Sequence, residues 1–244
     1  MLIASWNLRD GGIDEGNAGR LGRQLRLLAG IGADVVLIQE AKHWLECGGR
    51  GVHMAEWMLG ARVYLVTAPR HGCHLSVLVR NGSNIEVLRS RHERHAPFWH
   101  AQARICCKVA GMKMIFASTH FSPFSPDLRV LEAQANSDLA VAVTVLGGDF
   151  NDPGLEETTN WGSLPGASCA YPPNGCDSAL PRSYKPLATL PSGNQALGSR
   201  KPVFSSFRTI SACRRTPTLS MSADELGQIP DHSTLGIVKW PRTR

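Results

Sequence analysis

Short apolar runs recur along this chain, and several stop abruptly on a polar residue. Leu2-Ile3-Ala4-Ser5-Trp6 stops on Asn7, and Val35-Val36-Leu37-Ile38-Gln39 stops on Glu40. The run at 114–119 stops on His120, and the run at 143–148 stops on Asp149, with Asn151 close behind. Asp231-His232 stands just before the run at 233–238. Runs of this kind, bounded by Gly, Asn and Pro, read as buried strands. The pattern predicts strands over residues 2–8, 35–39, 63–67, 75–80, 85–89, 101–109, 113–119, 143–146 and 235–240. Turns are expected at Asn81-Gly82 and at Gly111. Leucines 21, 25, 27 and 28 keep a helical period, so residues 20–30 read as an amphipathic helix ended by Gly30 or Gly32. A short helix is expected over 55–59 and a longer one over 128–141, which carries leucines 128, 131 and 139.

The pattern weakens from 152 to 217. Pro153, Pro165, Pro172, Pro173, Pro181, Pro186 and Pro191 fall there among many Gly and Ser. This region reads as a long loop with short elements, lying within a single domain that spans 1–244.

Composition narrows the class. Of 244 residues, 43% are hydrophobic and 19% charged, enough for a packed core and too apolar for wholesale disorder. No uninterrupted apolar stretch reaches the roughly 18 residues of a membrane span. The start shows no charged, apolar and small-residue succession of a secretory signal, so a cytoplasmic location and a monomer are expected. The seven cysteines form no CxxC pair. Reduced thiols fit that count best, ahead of zinc binding, and a Cys169–Cys176 disulfide is an alternative in an exported protein. A net charge of +6 favours a polyanionic partner without proving one. Arg89, Arg91, His92, Arg94 and His95 cluster, with His100 and Arg104 behind them. Arg91, Arg94 and His100 are therefore candidates to face phosphate, against the plainer reading of a solvated loop. Trp44, Trp57 and Trp99 are expected in the core rather than on bases.

A carboxylate or imidazole at a buried strand tip is costly unless a metal, partner or substrate meets it. Taken singly, each residue has an ordinary explanation. Asn7 and Asp149 could form turns, Glu40 could cap a helix, and His120 could be a satisfied strand end. All occupy the same topological place, however, and ligands collect at such edges in layered α/β folds. Glu40 with Asn7 offers hard oxygen donors suited to Mg²⁺ or Mn²⁺. His120 and His232 can meet phosphoryl oxygens or move a proton. Asp149 can orient or deprotonate a water, Asn151 can hold it, and Asp231 can hold His232 or a metal-bound water. Metal-assisted hydrolysis of a phosphoester is the reaction these parts suit.

The segments Ser5-Trp6-Asn7-Leu8, Ile38-Gln39-Glu40, Ser118-Thr119-His120, Gly148-Asp149-Phe150-Asn151 and Pro230-Asp231-His232-Ser233, in that order, resemble the endonuclease/exonuclease/phosphatase superfamily. The resemblance covers residues 1–155 and 229–240. It implies the fold of deoxyribonuclease I, a four-layer α/β sandwich with two mixed sheets face to face and helices outside. It implies Glu40 as main metal ligand with Asn7 and Asp231 beside it, and Asp149 and Asn151 on the nucleophile side. His120 and His232 are then placed at the scissile phosphate, with Asp231 supporting. The superfamily's further aspartate, on the penultimate strand, has no counterpart in 190–230. The strand candidate there, 203–207, carries no acid, and Asp224, Glu225 and Asp177 are the nearby carboxylates. The expected activity is a phosphodiesterase or nuclease acting on nucleic acid. The alternatives are a weakly active or non-catalytic relative that binds nucleic acid or a phosphorylated ligand, and a small-molecule or lipid-headgroup phosphatase.

Overall fold

The computed structural model describes residues 1–151, 208–211 and 235–239. Ten strands fall into two five-stranded sheets among these residues. The first holds β1 (Leu2–Asn7), β2 (Val35–Gln39), β3 (Ala61–Val66), β4 (Leu75–Arg80) and β10 (Leu235–Lys239), in the order β10-β1-β2-β4-β3. The second holds β5 (Ile85–Ser90), β6 (Gln102–Val109), β7 (Met112–His120), β8 (Val143–Asp149) and β9 (Arg208–Ser211), in sequence order. Both sheets are mixed: β1 runs parallel to β2, and β7, β8 and β9 are mutually parallel, while the other pairs are antiparallel.

Strand alternation explains the layers. Ile3, Val35, Leu37 and Val77 of the first sheet pack against Ala103, Ile105, Phe116 and Val145 of the second in one buried cluster. The residues between them, Ala4, Trp6, Val36, Ile38 and Leu78, face the other way. They pack on Leu21, Leu25 and Leu28 of α1 (Gly19–Ile31) and Ala55 of α2 (Glu46–Leu59). Leu139, in the 3-10 turn after α3 (Pro126–Ala135), packs on Ala117 and Leu146 outside the second sheet. The four-layer α/β sandwich expected from the sequence is the observed architecture.

Two elements differ from expectation. The helix at α2 begins well before residue 55; Cys47, Gly48 and Gly49 adopt positive φ near its start, and its regular turns follow them. Its glycines dilute the helical period that would have revealed it. The helix expected over 128–141 ends at Ala135 and continues as a 3-10 turn. Of its leucines only Leu139, in that turn, is buried, and Leu131 is 51% exposed. Glu132 and Asn136 are buried beside it, and Asn136 accepts a 2.6 Å hydrogen bond from Gln102 of β6. Polar contacts therefore share the docking of this layer, and hydrophobic periodicity alone could not define it. Trp44 is buried as expected, but Trp57 is 84% exposed on α2. Cys47, Cys73, Cys106 and Cys107 are free thiols. No helix among the described residues is long and apolar enough to cross a membrane.

Candidate active site

The space between the sheets changes character along the strands. At one end it is lined by Ile3, Val35, Met114 and Val145, and at the other by Ser5, Gln39 and Ser118, all buried. Ser118 Oγ donates to the Ile38 carbonyl (2.9 Å) and accepts from Gln39 Nε2 (2.9 Å), so polar bonds join the sheets here. Gly147 permits this approach, since a Cβ there would stand 2.7 Å from Leu37 of the facing sheet; within the second sheet, a Cβ on Gly148 would stand only 1.9 Å from the Thr119 carbonyl oxygen of β7. Parallel pairing then sets Asn7 level with Gln39 and His120 level with Asp149.

Asn7 and Asp149 are built alike. Asn7 Oδ1 accepts from the Arg9 amide (2.9 Å), and Asp149 Oδ1 accepts from the Asn151 amide (2.9 Å). Each thus closes a side-chain turn with one atom, as expected of a turn former, and reaches across the sheets with the other. Asn7 Nδ2 donates to Asp149 Oδ2 and to Glu40 Oε1, both at 2.9 Å. Glu40 Oε2 accepts from the Asp10 amide (3.0 Å), so Glu40 does not cap α2. Glu40 and Asn151 have φ of +55° and +49°, a region that non-glycine residues enter at a cost and that recurs at functional sites. Asn151 Nδ2 donates to the Phe121 carbonyl (2.7 Å), tying the loop after β8 to the loop after β7.

The histidines are starved of partners among the described residues. His120 Nε2 lies 3.9 Å from Asp149 Oδ2, beyond a hydrogen bond, and its Nδ1 is buried with no partner there. The ring stacks on His100, with centroids 4.3 Å apart and planes 22° apart. Both nitrogens of His100 are buried and equally without a partner among the described residues. Burial pushes the His100 pKa down to about 3, with the neighbouring His120 adding to the effect. Burial also lowers the His120 pKa, against the opposing pull of Asp149 and Glu40. Both rings are therefore neutral at pH 7. Next to Glu40, Lys42 Nζ pairs with Asp10 Oδ1 at 2.8 Å. That hydrogen bond holds the Asp10 carboxyl below the usual range and raises the Lys42 ammonium.

No group of three His, Cys, Asp or Glu side chains forms a metal cage among the described residues. The carboxylates nonetheless suit Mg²⁺ or Mn²⁺, since Glu40 and Asp149 converge with hard oxygens and such ions take one or two carboxylates with water for the rest. Asn7, expected as an oxygen donor beside Glu40, instead turns its N–H to the two carboxylates and its oxygen to Arg9.

No protein-family model matches the sequence, and no curated protein matches it. Solved structures do share its shape. A functionally unknown conserved protein from Enterococcus faecalis superposes with a TM-score of 0.50 at 16% identity, over 64% of this chain and 69% of that one. ANGEL2, described as a 2',3'-cyclic phosphatase, also superposes at 0.50, with 13% identity over 62% of this chain and 52% of the other. An endonuclease/exonuclease/phosphatase family protein from Bacteroides thetaiotaomicron reaches 0.45 at 17% identity, over 62% and 63% of the two chains. The chain shares the fold of these solved structures, and it is the two-sheet sandwich that the resemblance in the sequence implied. Identity this low makes it a likeness of fold, and the chain matches only about half of ANGEL2 (52%).

On this fold, Asn7, Glu40, His120, Asp149 and Asn151 come together at one end of the two sheets. His100 joins them through its stack on His120. Asp231 and His232 lie outside the described residues, as do Asp177, Asp224, Glu225 and the 203–207 strand candidate. The strand beside β8 is β9, Arg208–Ser211, whose sequence Arg-Thr-Ile-Ser has no carboxylate. The basic cluster divides. Arg104 is buried, with Nη1 3.4 Å from Glu93 and 3.3 Å from Asp138, and so serves the fold. Arg91 and Arg94 are exposed, and Arg91 Nε lies 3.8 Å from Glu93. Neither has a described contact with Glu40 or Asp149. Sequence reasoning passed over Glu132, Gln39 and Ser118. The signal for Glu132 was an acid inside an apolar helix, and for Gln39 and Ser118 polar residues one or two positions before the tips.

Proposed function

We propose that this chain is a divalent-metal-dependent hydrolase of phosphoesters, and specifically a phosphodiesterase acting on nucleic acid. One observation carries the reading: the Asn7 amide draws Glu40 and Asp149, from opposite sheets, to one point beside a neutral, buried His120. Glu40 would hold Mg²⁺ or Mn²⁺, with Asn7 orienting its carboxylate and Asp231 contributing a further oxygen. The ion, when bound, neutralises phosphoryl charge and polarises the phosphorus–oxygen bond. Asp149 takes the proton from the attacking water, and Asn151 keeps the Asp149 turn in position. His120, neutral at pH 7, donates a ring N–H to a phosphoryl oxygen as negative charge grows there. His232 supplies the partner donor. The net charge of +6 favours a polyanionic phosphodiester over an uncharged headgroup.

The test is plasmid nicking and turnover of a chromogenic phosphodiester, each with Mg²⁺, Mn²⁺ or EDTA. Metal-dependent cleavage lost in Asp149→Asn, with the fold intact by circular dichroism, is expected. Cleavage that persists undiminished in EDTA sinks the assignment. A second reading is a nucleic-acid binder without catalysis, favoured by the lack of a carboxylate in β9. Salt-sensitive DNA binding with no cleavage in any metal selects it.

A further inference from the structure

An aromatic cluster borders the site and has no part in the hydrolysis itself. The Trp99 indole stacks on the His71 imidazole, with centroids 5.5 Å apart and planes 22° apart. Phe124 meets the same indole edge-on at 5.7 Å. The Arg70 guanidinium carbon stands 4.9 Å from the indole centroid, within cation–π range. Phe124 is 65% exposed, Arg70 and His71 are exposed, and Trp99 is half-buried.

Three separate loops bring these groups together, and each adjoins the site. Trp99 precedes His100, whose ring lies on His120. Phe124 is in the loop that leaves His120 at the end of β7. The loop of Arg70 and His71 ends at His74, whose carbonyl accepts from the amide of Ala41, the residue after Glu40 (2.7 Å). The arrangement is actively held. The fully buried Glu132 carboxylate accepts from the Trp99 amide with Oε1 and from the Ser122 amide with Oε2, both at 2.8 Å. Burial raises the Glu132 pKa against the pull of these two amides. Taking a carboxylate out of water is a costly way to fasten two surface loops. Its effect is to set Trp99 and Phe124 side by side.

We propose that Arg70, His71, Trp99 and Phe124 form a stacking platform for an unpaired base of single-stranded nucleic acid whose phosphodiester lies at Glu40 and Asp149. The proposal rests on the phosphodiesterase reading and names its substrate class. Flat rings and a guanidinium suit a base, which has a π face, and offer less to a sugar phosphate or an aliphatic headgroup, which has none. A base inside a duplex has both faces covered by its neighbours, so an unpaired one is the fitting guest. The Arg70 guanidinium and the chain's net charge of +6 suit the flanking phosphates.

The experiment compares two labelled strands of roughly ten nucleotides, within the usual site sizes for single strands. One is oligodeoxyadenylate and the other an abasic strand of equal length and charge, both titrated by fluorescence anisotropy in EDTA. The wild-type protein should bind the base-bearing strand about 5- to 150-fold more tightly, the equivalent of about 1–3 kcal/mol. Trp99→Leu, which keeps apolar bulk, and His71→Ala, at an exposed position, should each shrink that ratio while leaving the abasic affinity unchanged. Equal wild-type affinity for the two strands overturns the platform, as does a ratio that survives in both variants. In either case the cleavage assay still judges the phosphodiesterase reading on its own. Failure to bind either strand overturns the nucleic-acid substrate and the platform together.

Discussion

Replacing His100 with phenylalanine should make this protein more resistant to acid. His100 is 4% exposed, and neither ring nitrogen has a protein partner among the described residues. The ordinary pKa of 6.5 falls to about 3 because burial, and then His120, disfavour the charged ring. An unfolded chain therefore binds a proton at this position near pH 6.5, and the folded chain does so only near pH 3. The folded pKa is depressed, so the stability from a neutral His100 is present above pH 6.5 and is lost as pH falls toward 3. The slope in that window is about 1.36 kcal/mol per pH unit, so moving from pH 6.5 to 5 removes about 2 kcal/mol. Phenylalanine keeps a flat ring against His120 and removes the titration. Urea unfolding at pH 7.5 and pH 5.0 measures the effect in both proteins. The wild type should lose about 2 kcal/mol more than His100→Phe between these conditions. Equal losses would show that His100 is protonated or solvated in the folded state, and would refute the buried, neutral ring stack.

Three further outcomes are expected. Gly148→Ala places a methyl against the Thr119 carbonyl, where its Cβ would lie at 1.9 Å, and backbone cannot yield cheaply. It should lower the urea midpoint by at least the equivalent of about 1–3 kcal/mol and separate His120 from Asp149. Glu40→Gln should weaken Mn²⁺ binding at least about tenfold by titration calorimetry, since a hard cation loses its charged oxygen donor, and activity should fall with it. An unchanged titration would remove Glu40 from the metal site. Arg91→Ala combined with Arg94→Ala should weaken DNA binding and reduce the salt slope by about one for every phosphate that is no longer neutralised, whereas an unaltered slope would return both to solvated surface.

Much of the site could be read in the sequence because its parts end strands. A strand tip is marked locally, by an apolar alternation that stops on Asn7, Glu40, His120 or Asp149. The same reading left α3 misjudged, since Glu132 rather than Leu128 or Leu131 is its buried residue, with Asn136 buried at its C-terminal cap. Trp57 and Trp99 escaped it too. Large aromatics are usually buried, but the first is exposed on a helix and the second is held half-buried by a loop contact.

Sequence alone determined where nine of the ten described strands lie, though not β9, which residues of each strand share a face, and which acids and imidazoles stand at the tips. These follow from backbone geometry over a few residues, where side chains alternate with a period of two. Only the tertiary structure decided what meets across the sheets. Asn7 reaches Glu40 across 33 positions of sequence and Asp149 across 142. That meeting depends on how closely two sheets pack, which small residues such as Gly147 permit and no local pattern encodes. The His100–His120 stack and the Trp99 cluster arise in the same way, from loops whose course is set by long-range contacts such as those of Glu132.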